Sequence, residues 1–242
     1  MEQAITIPTF DKHLIYGTLN SHQKSKSIII FVHGLTGHQN EHLFYNAARF
    51  FPARGYNTLR FDLYGWQKKA RKFRDTTIKI HGKDITTVIN YCKDQGYEKI
   101  FVVGHSLGGP SVLLANLSQT VAIVLWDPSF NLRKRAPSVY QYDTHLETYI
   151  IHWNIEIILG KKMYQEWKSF PDGSSLIEKI TLPVKIIAAG KGRLVEGAKK
   201  YFAHTTSQKS LMIIPDAGHT FDEEGAAEKL FQETLMWVKK FS

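Results

Sequence analysis

KIFVVGHSLGGPSVLLANL, residues 99–117, begins as an apolar, β-branched run and ends as an apolar helical pattern. Ile100, Phe101, Val102 and Val103 read as a buried strand. Gly104-His105-Ser106-Leu107-Gly108 follows at once, with Gly109 opening a helix. This is G-x-S-x-G in the strand, sharp turn, helix context that gives the motif its meaning. So tight a bend strains the backbone at Ser106, and glycine two residues before and after it avoids a clashing Cβ. The turn lifts the Ser106 hydroxyl above the carboxyl edge of a parallel sheet. The N-terminus of the next helix lies beneath it, where main-chain N–H groups can hold a developing oxyanion.

Outward from this stretch, strands and helices alternate. Residues 3–20 predict two antiparallel edge strands with a bend near Thr9–Lys12. SIIIFV (27–32), Asn57–Leu63, Val121–Trp126, Pro183–Ala189 and Ser210–Ile214 predict strands. Helices are predicted over about 41–54, 77–94, 195–203 and 223–241. The helix over 77–94 turns Ile78, Ile85, Val88, Ile89 and Cys92 inward. This alternation implies a mostly parallel central sheet flanked by helices. Between Asp127 and Thr181 the strand rhythm stops. There Leu146, Tyr149, Ile150, Trp153 and Ile157 recur at helical spacing, which predicts a small helical cap over about 130–180, inserted after the sixth strand. Residues 1–242 otherwise read as a single domain, with no internal repeat or linker.

The 242 residues are 43% hydrophobic and 22% charged, the balance of an ordinary globular protein able to bury a sizeable core. One cysteine, Cys92, excludes an intrachain disulfide. The start, MEQAITIPTFD, lacks the basic and apolar regions of a signal peptide, and no apolar run is long enough for a membrane span. A cytoplasmic address is the default expectation. The formal charge is +9, with a basic cluster at Lys68, Lys69, Arg71, Lys72 and Arg74 and a second at Arg133-Lys134-Arg135. Such runs are most often solvated faces, and no nucleic-acid fold signature accompanies them, so no nucleic-acid partner is expected.

The elbow and the strand pattern together resemble the α/β-hydrolase family, over nearly the whole chain outside the cap. The resemblance implies a serine esterase or lipase-like hydrolase with Ser106 as nucleophile. It implies His219, in the loop after the last strand (DAGHTF, 216–221), as general base. Two main-chain N–H groups would form the oxyanion hole. One is that of Leu107, directly after the nucleophile. The other is that of Leu35, in the His33-Gly34-Leu35-Thr36-Gly37 loop. The chain departs from the family at the acid. Many members carry it as G-x-x-D after the penultimate strand, where this sequence reads Gly190-Lys191-Gly192-Arg193. Asp127, at the preceding strand end, is the first candidate acid and Glu196 the second. A lesser departure is Asp62-Leu63-Tyr64-Gly65-Trp66-Gln67, where the family reads like D-x-x-G-x-G. Tyr64 and Trp66 are candidates to shape the pocket.

The implied substrate is a small-molecule acyl ester or related thioester, amide or lactone, and no cofactor is implied. His38-Gln39-Asn40-Glu41-His42 matches H-x-x-E-H, but it lies at the start of a helix without an evident third ligand, so no metal is expected. The missing G-x-x-D acid keeps a catalytically weak or inactive binding protein as the alternative. A cofactor-free peroxidase or lyase on the same residues is a third case. Oligomeric state is not legible in the sequence.

Overall fold

The computed structural model describes residues 2–22, 25–133, 140–152 and 156–242. Its strands are β1 (Glu2–Pro8), β2 (Leu14–Asn20), β3 (Ser27–Val32), β4 (Asn57–Phe61), β5 (Lys99–His105), β6 (Ala122–Trp126), β7 (Tyr140–Asp143), β8 (Thr148–His152), β9 (Glu156–Leu159), β10 (Val184–Ala189) and β11 (Lys209–Ile214). The helices are α1 (His42–Phe50), α2 (Ile78–Asp94), α3 (Gly108–Leu113), α4 (Lys161–Ser169), α5 (Gly173–Ile177), α6 (Val195–His204) and α7 (Ala226–Val238). Eight strands form one sheet in the order β1-β2-β4-β3-β5-β6-β10-β11. β1, β2 and β4 pair antiparallel, and the pairs from β4 through β11 are parallel.

The strand alternation explains the layers. Ile28, Ile30, Val102, Ile123 and Ile186 face one side and pack with α2, α3 and α6; Ile29, Phe31, Phe101, Val124 and Trp126 face the other and pack with α1 and α7. Strands apolar on both faces are what a sheet covered by helices on both sides requires. Lys185, the one charge in β10, ends against Glu233 of α7 at 2.7 Å, so the buried cation is paired. The N-terminus of α2 is closed by Thr77, whose side chain accepts from the Ile80 N–H. Gly104 and Gly108 lie where the sequence requires them: a Cβ on Gly104 would stand 2.6 Å from the Gly108 oxygen, and one on Gly108 2.5 Å from the Val32 oxygen.

The prediction of a helical cap needs correction. The described part of the segment between β6 and β10 starts with a three-stranded antiparallel sheet, β7-β8-β9, and only then continues into α4 and α5. The spacing of Leu146, Tyr149, Ile150 and Ile157 mimics a helix, but the local runs TYIIH and EIIL are β-branched and aromatic, which favours strands. Ile157 and Leu159 are buried and alternate with exposed Glu156 and Ile158. The Asp143 carboxylate accepts the His145 and Leu146 N–H groups, each at 2.9 Å, and turns the chain into the β7-β8 hairpin. Trp153, the remaining residue of that spacing, lies outside the described residues, as do Lys134 and Arg135. The insertion is docked on the main sheet layer by Glu166 of α4, whose carboxylate accepts from the Ile78 and Lys79 N–H groups at the start of α2.

Candidate active site

Ser106, the loop after β3, Asp127 and the loop after β11 meet at the carboxyl edge of the parallel strands. This is where ligands bind open α/β sheets. Ser106 has φ of +54° in the left-handed region, as the elbow requires. Its N–H donates to the Trp126 carbonyl at 3.0 Å, and its own carbonyl accepts from Gly109 and Ser129. The elbow is therefore pinned on both sides. Asp127 (φ +38°), Thr36 (+61°) and Phe221 (+55°) also have positive φ without being glycine. Left-handed residues gathered at one edge are typical of functional sites, where the surroundings hold strained backbone.

The structure brings three of the sequence-predicted residues into one row. His219 Nδ1–H donates to Asp127 Oδ2 at 2.6 Å. On the other side of the ring, the Ser106 hydroxyl lies 3.0 Å from His219 Nε2. With the proton on Nδ1, Nε2 carries a lone pair and accepts from the Ser106 O–H. Asp127 is fully buried, and its second oxygen accepts the Ala189 N–H at 3.1 Å. Gly192 passes so close that a Cβ there would stand 3.3 Å from Asp127 Oδ2. The loop where the family often carries its acid thus packs against Asp127. Arg193 is exposed in that loop. Glu196 sits on α6 with its side chain 75% exposed, paired with Lys199 at 2.6 Å.

Leu107 and Leu35 flank the serine. Among the described residues, neither main-chain N–H has an acceptor within the chain. The Leu35 peptide is anchored from behind. The carbonyl of Gly34, in the same peptide unit as the Leu35 N–H, accepts from His33 Nδ1–H at 2.9 Å and from the Tyr64 hydroxyl at 3.0 Å. His33 Nε2 in turn accepts the Leu63 N–H at 3.0 Å. His33 is therefore a neutral, buried strut, and burial pulls its pKa down to about 4. Burial pushes the Tyr64 hydroxyl pKa upward, which keeps it a neutral donor. Gln39 ties the same loop to the end of β4, giving its main-chain N–H and its side-chain amide to the two oxygens of Asp62. Trp66 takes no part in this: its side chain is 94% exposed, which corrects the expectation that it shapes the pocket.

Two further residues support His219, and sequence reading missed both roles. His105 Nε2–H donates to the His219 carbonyl at 2.9 Å, its ring 4.8 Å from the His219 ring. Glu223 accepts the Gly218 N–H at 2.8 Å and closes the turn. A cavity of about 180 Å³ borders this loop, lined by Glu41, His42, Leu43, His105, Thr220 and Asp222. His42 Nε2 meets Asp222 at 2.7 Å. In the H-x-x-E-H run, His42 opens α1 while His38 precedes it and accepts the Asn40 N–H, so the two do not share a helix face. Among the described residues, no cluster of three or more His, Cys, Asp or Glu could hold a metal ion.

A family model described as serine aminopeptidase, S33, matches residues 23–169, more than half of the chain. The chain belongs to this hydrolase family. The S33-family match spans the Leu35 loop, Ser106 and Asp127 and stops before His219. Est1E from Butyrivibrio proteoclasticus, solved with ferulic acid bound, is similar at a TM-score of 0.84 and 22% identity, over 98% of this chain and 99% of that one. The α/β hydrolase GrgF from Penicillium sp. sh18 is similar at 0.82 and 15% identity, over 100% and 99%. The esterase domain of a Rhodothermus marinus protein is similar at 0.76 and 15% identity, over 100% and 99%. At these identities the likenesses establish the α/β-hydrolase fold. A comparison with curated proteins finds no match.

The buried imidazoles give the S33-family chain a definite acid sensitivity. Burial lowers the pKa of His33 to about 4, of His81 to about 3 and of His105 to about 4. In the unfolded chain each takes up a proton near pH 6.5. The unfolded state then binds more protons below that pH, so stability rises with pH and is lost as pH falls from about 6.5 towards 4. Asp84 is shifted the other way, up to about 6 by burial, and loses stability as pH rises through the same window. Burial raises Glu41 and Glu166 as well, but both are only half-buried, and the three buried imidazoles outweigh these carboxyls. The urea midpoint is expected to be clearly lower at about pH 5 than at about pH 7.5. Equal midpoints would contradict neutral burial of these rings.

Proposed function

We propose that the protein is a serine hydrolase that cleaves a carboxylic ester or related acyl compound through an acyl-enzyme. Ser106 Oγ attacks the acyl carbon as His219 Nε2 takes its proton, since free serine is a poor nucleophile without a base in reach. Asp127 holds the Nδ1–H tautomer and stabilises the imidazolium that forms. The oxyanion is received by the Leu35 and Leu107 N–H groups. The imidazolium returns its proton to the leaving group, and water activated by the same ring then frees the acyl group. The observation that carries this reading is a single imidazole hydrogen-bonded to a hydroxyl on one nitrogen and to a buried carboxylate on the other. The segment between β6 and β10 is read as a cap roofing the acyl pocket, because it leaves the sheet directly after the strand end that carries Asp127.

Treatment of the protein with a fluorophosphonate, followed by assays on short- and long-chain p-nitrophenyl esters and on aminoacyl p-nitroanilides, tests the reading. Labelling with ester turnover supports it. Labelling with anilide turnover alone shifts the reading to peptide-bond cleavage, which the family description favours. An unlabelled, inert protein supports a binding module instead. Tyr64 offers a finer check. Its hydroxyl aligns the Gly34–Leu35 peptide without touching substrate, so Tyr64→Phe is expected to lower kcat about tenfold and leave KM nearly unchanged. An equal loss through KM would mean that Tyr64 binds substrate rather than positioning the oxyanion donor.

A further inference from the structure

The basic cluster near residue 70 is built into a rigid rim together with the turn between β1 and β2. The Lys69 carbonyl accepts the Leu14 N–H at 2.9 Å, and the Lys68 carbonyl accepts the Tyr16 hydroxyl at 2.6 Å. Arg71, only 4% exposed, joins Asp11 of the turn at 2.6 Å to Asp84 of α2 at 3.2 Å. This guanidinium is shared between the two carboxylates, and among the described residues none of Lys68, Lys69, Lys72 and Lys83 is paired with a carboxylate. From the rim stand two aromatic rings, Trp66 at 94% exposure and Phe10 at 59%. A lysine ammonium accompanies each: Lys72 Nζ lies 5.8 Å from the Trp66 ring, and Lys83 Nζ 4.7 Å from the Phe10 ring. Lys68 and Lys69 are exposed in the same loop as Trp66.

We propose that this rim docks the protein on the surface of an anionic phospholipid bilayer. A tryptophan left almost wholly in water buries none of its apolar area in the fold and fits a partner that accepts it. The headgroup layer does so, taking an indole or phenyl ring at its apolar boundary while flexible lysine stems keep their ammonium groups beside lipid phosphates. Charge complementarity selects anionic over zwitterionic lipid. A nucleic acid is a poorer fit, because Arg71 is spent on carboxylates and, among the described residues, leaves the exposed Arg74 as the one fork-shaped donor of the cluster free for bidentate phosphate contacts, beside two aromatic rings that a phosphate backbone does not cover. Among the described residues no helix is long and apolar enough to cross a membrane, so the association is peripheral. The inference does not depend on the proposed chemistry.

Co-sedimentation of the full chain with phosphatidylcholine vesicles, with and without about 30 mol% phosphatidylglycerol, tests it. Binding to the anionic vesicles is expected, at least about tenfold tighter than to phosphatidylcholine alone and weakened on going from about 50 to about 300 mM salt. Both the F10S/W66S pair and the K68Q/K69Q/K72Q triple variant are expected to lose about tenfold or more in vesicle affinity. Both should keep the wild-type melting temperature and circular dichroism spectrum, which shows that they fold. Absence of binding to anionic vesicles, or unchanged binding of the aromatic pair, overturns the proposal. Tighter binding to heparin or RNA than to anionic vesicles, insensitive to the aromatic pair, assigns the rim to a polyanion and overturns it as well.

Discussion

Ser106→Ala is expected to abolish fluorophosphonate labelling and to lower kcat on a p-nitrophenyl ester by about 10⁴-fold or more. Under the proposed reading this hydroxyl is the sole atom that forms the acyl bond, and no neighbouring nucleophile substitutes for it. Cys92 is buried away in α2, and burial pushes its thiol pKa far up, so it stays an inert thiol. The mutation removes a single oxygen from an elbow that is held by main-chain bonds to Trp126, Gly109 and Ser129. Fold and ester binding should therefore persist, and KM should move little. Unchanged labelling, or turnover within tenfold of wild type, would move the nucleophile elsewhere and end the acyl-enzyme reading.

Asp127→Asn is expected to cost about 10³–10⁴ in kcat with little change in stability. The reason is a tautomer. The introduced carboxamide would place its carbonyl on the Ala189 N–H, where Asp127 Oδ1 now accepts. Its NH₂ group would then face His219 Nδ1 and donate to it. The ring proton moves to Nε2, which presents a donor to Ser106 in place of a lone pair and can no longer take the hydroxyl proton. The pH–rate profile and kcat should change together while ester binding is retained. Glu196→Gln is the matched control and is expected to be silent, because its carboxylate is 75% exposed and paired with Lys199. A silent Asp127→Asn with a crippled Glu196→Gln would reverse the assignment.

Much of this site could be read along the chain because its signals are local. The elbow at Ser106 needs glycine at 104 and 108, and the contacts that a Cβ would make at each show why. The parallel strands follow from continuous apolar, β-branched runs that are buried on both faces, and the hairpin over residues 2–20 from alternation on either side of a bend. Asp127 was legible as a candidate through the carboxylate at the end of a buried strand. Choosing between it and Glu196 required distances. The insertion misled because apolar spacing over a dozen residues fits helix and hairpin alike when strands are only four or five residues long. The Asp143 turn that decides it is a side-chain bond between near neighbours, weak as a sequence signal.

The buried apolar runs of the main-sheet strands, their alternation with helices along the chain, the strained serine and the absence of a G-x-x-D acid are properties of the sequence alone, because backbone sterics and hydrophobic periodicity act within a few residues. Tertiary structure decided the rest. Only folding joins His219 to Asp127 across 92 positions and to Ser106 across 113, and places Tyr64 behind the Leu35 peptide. Only folding spends Arg71 on Asp11 and Asp84 while leaving Trp66 and its lysines facing water. These pairings are set by how the sheet brings loop ends to one edge, a long-range geometry that no local preference of the chain encodes.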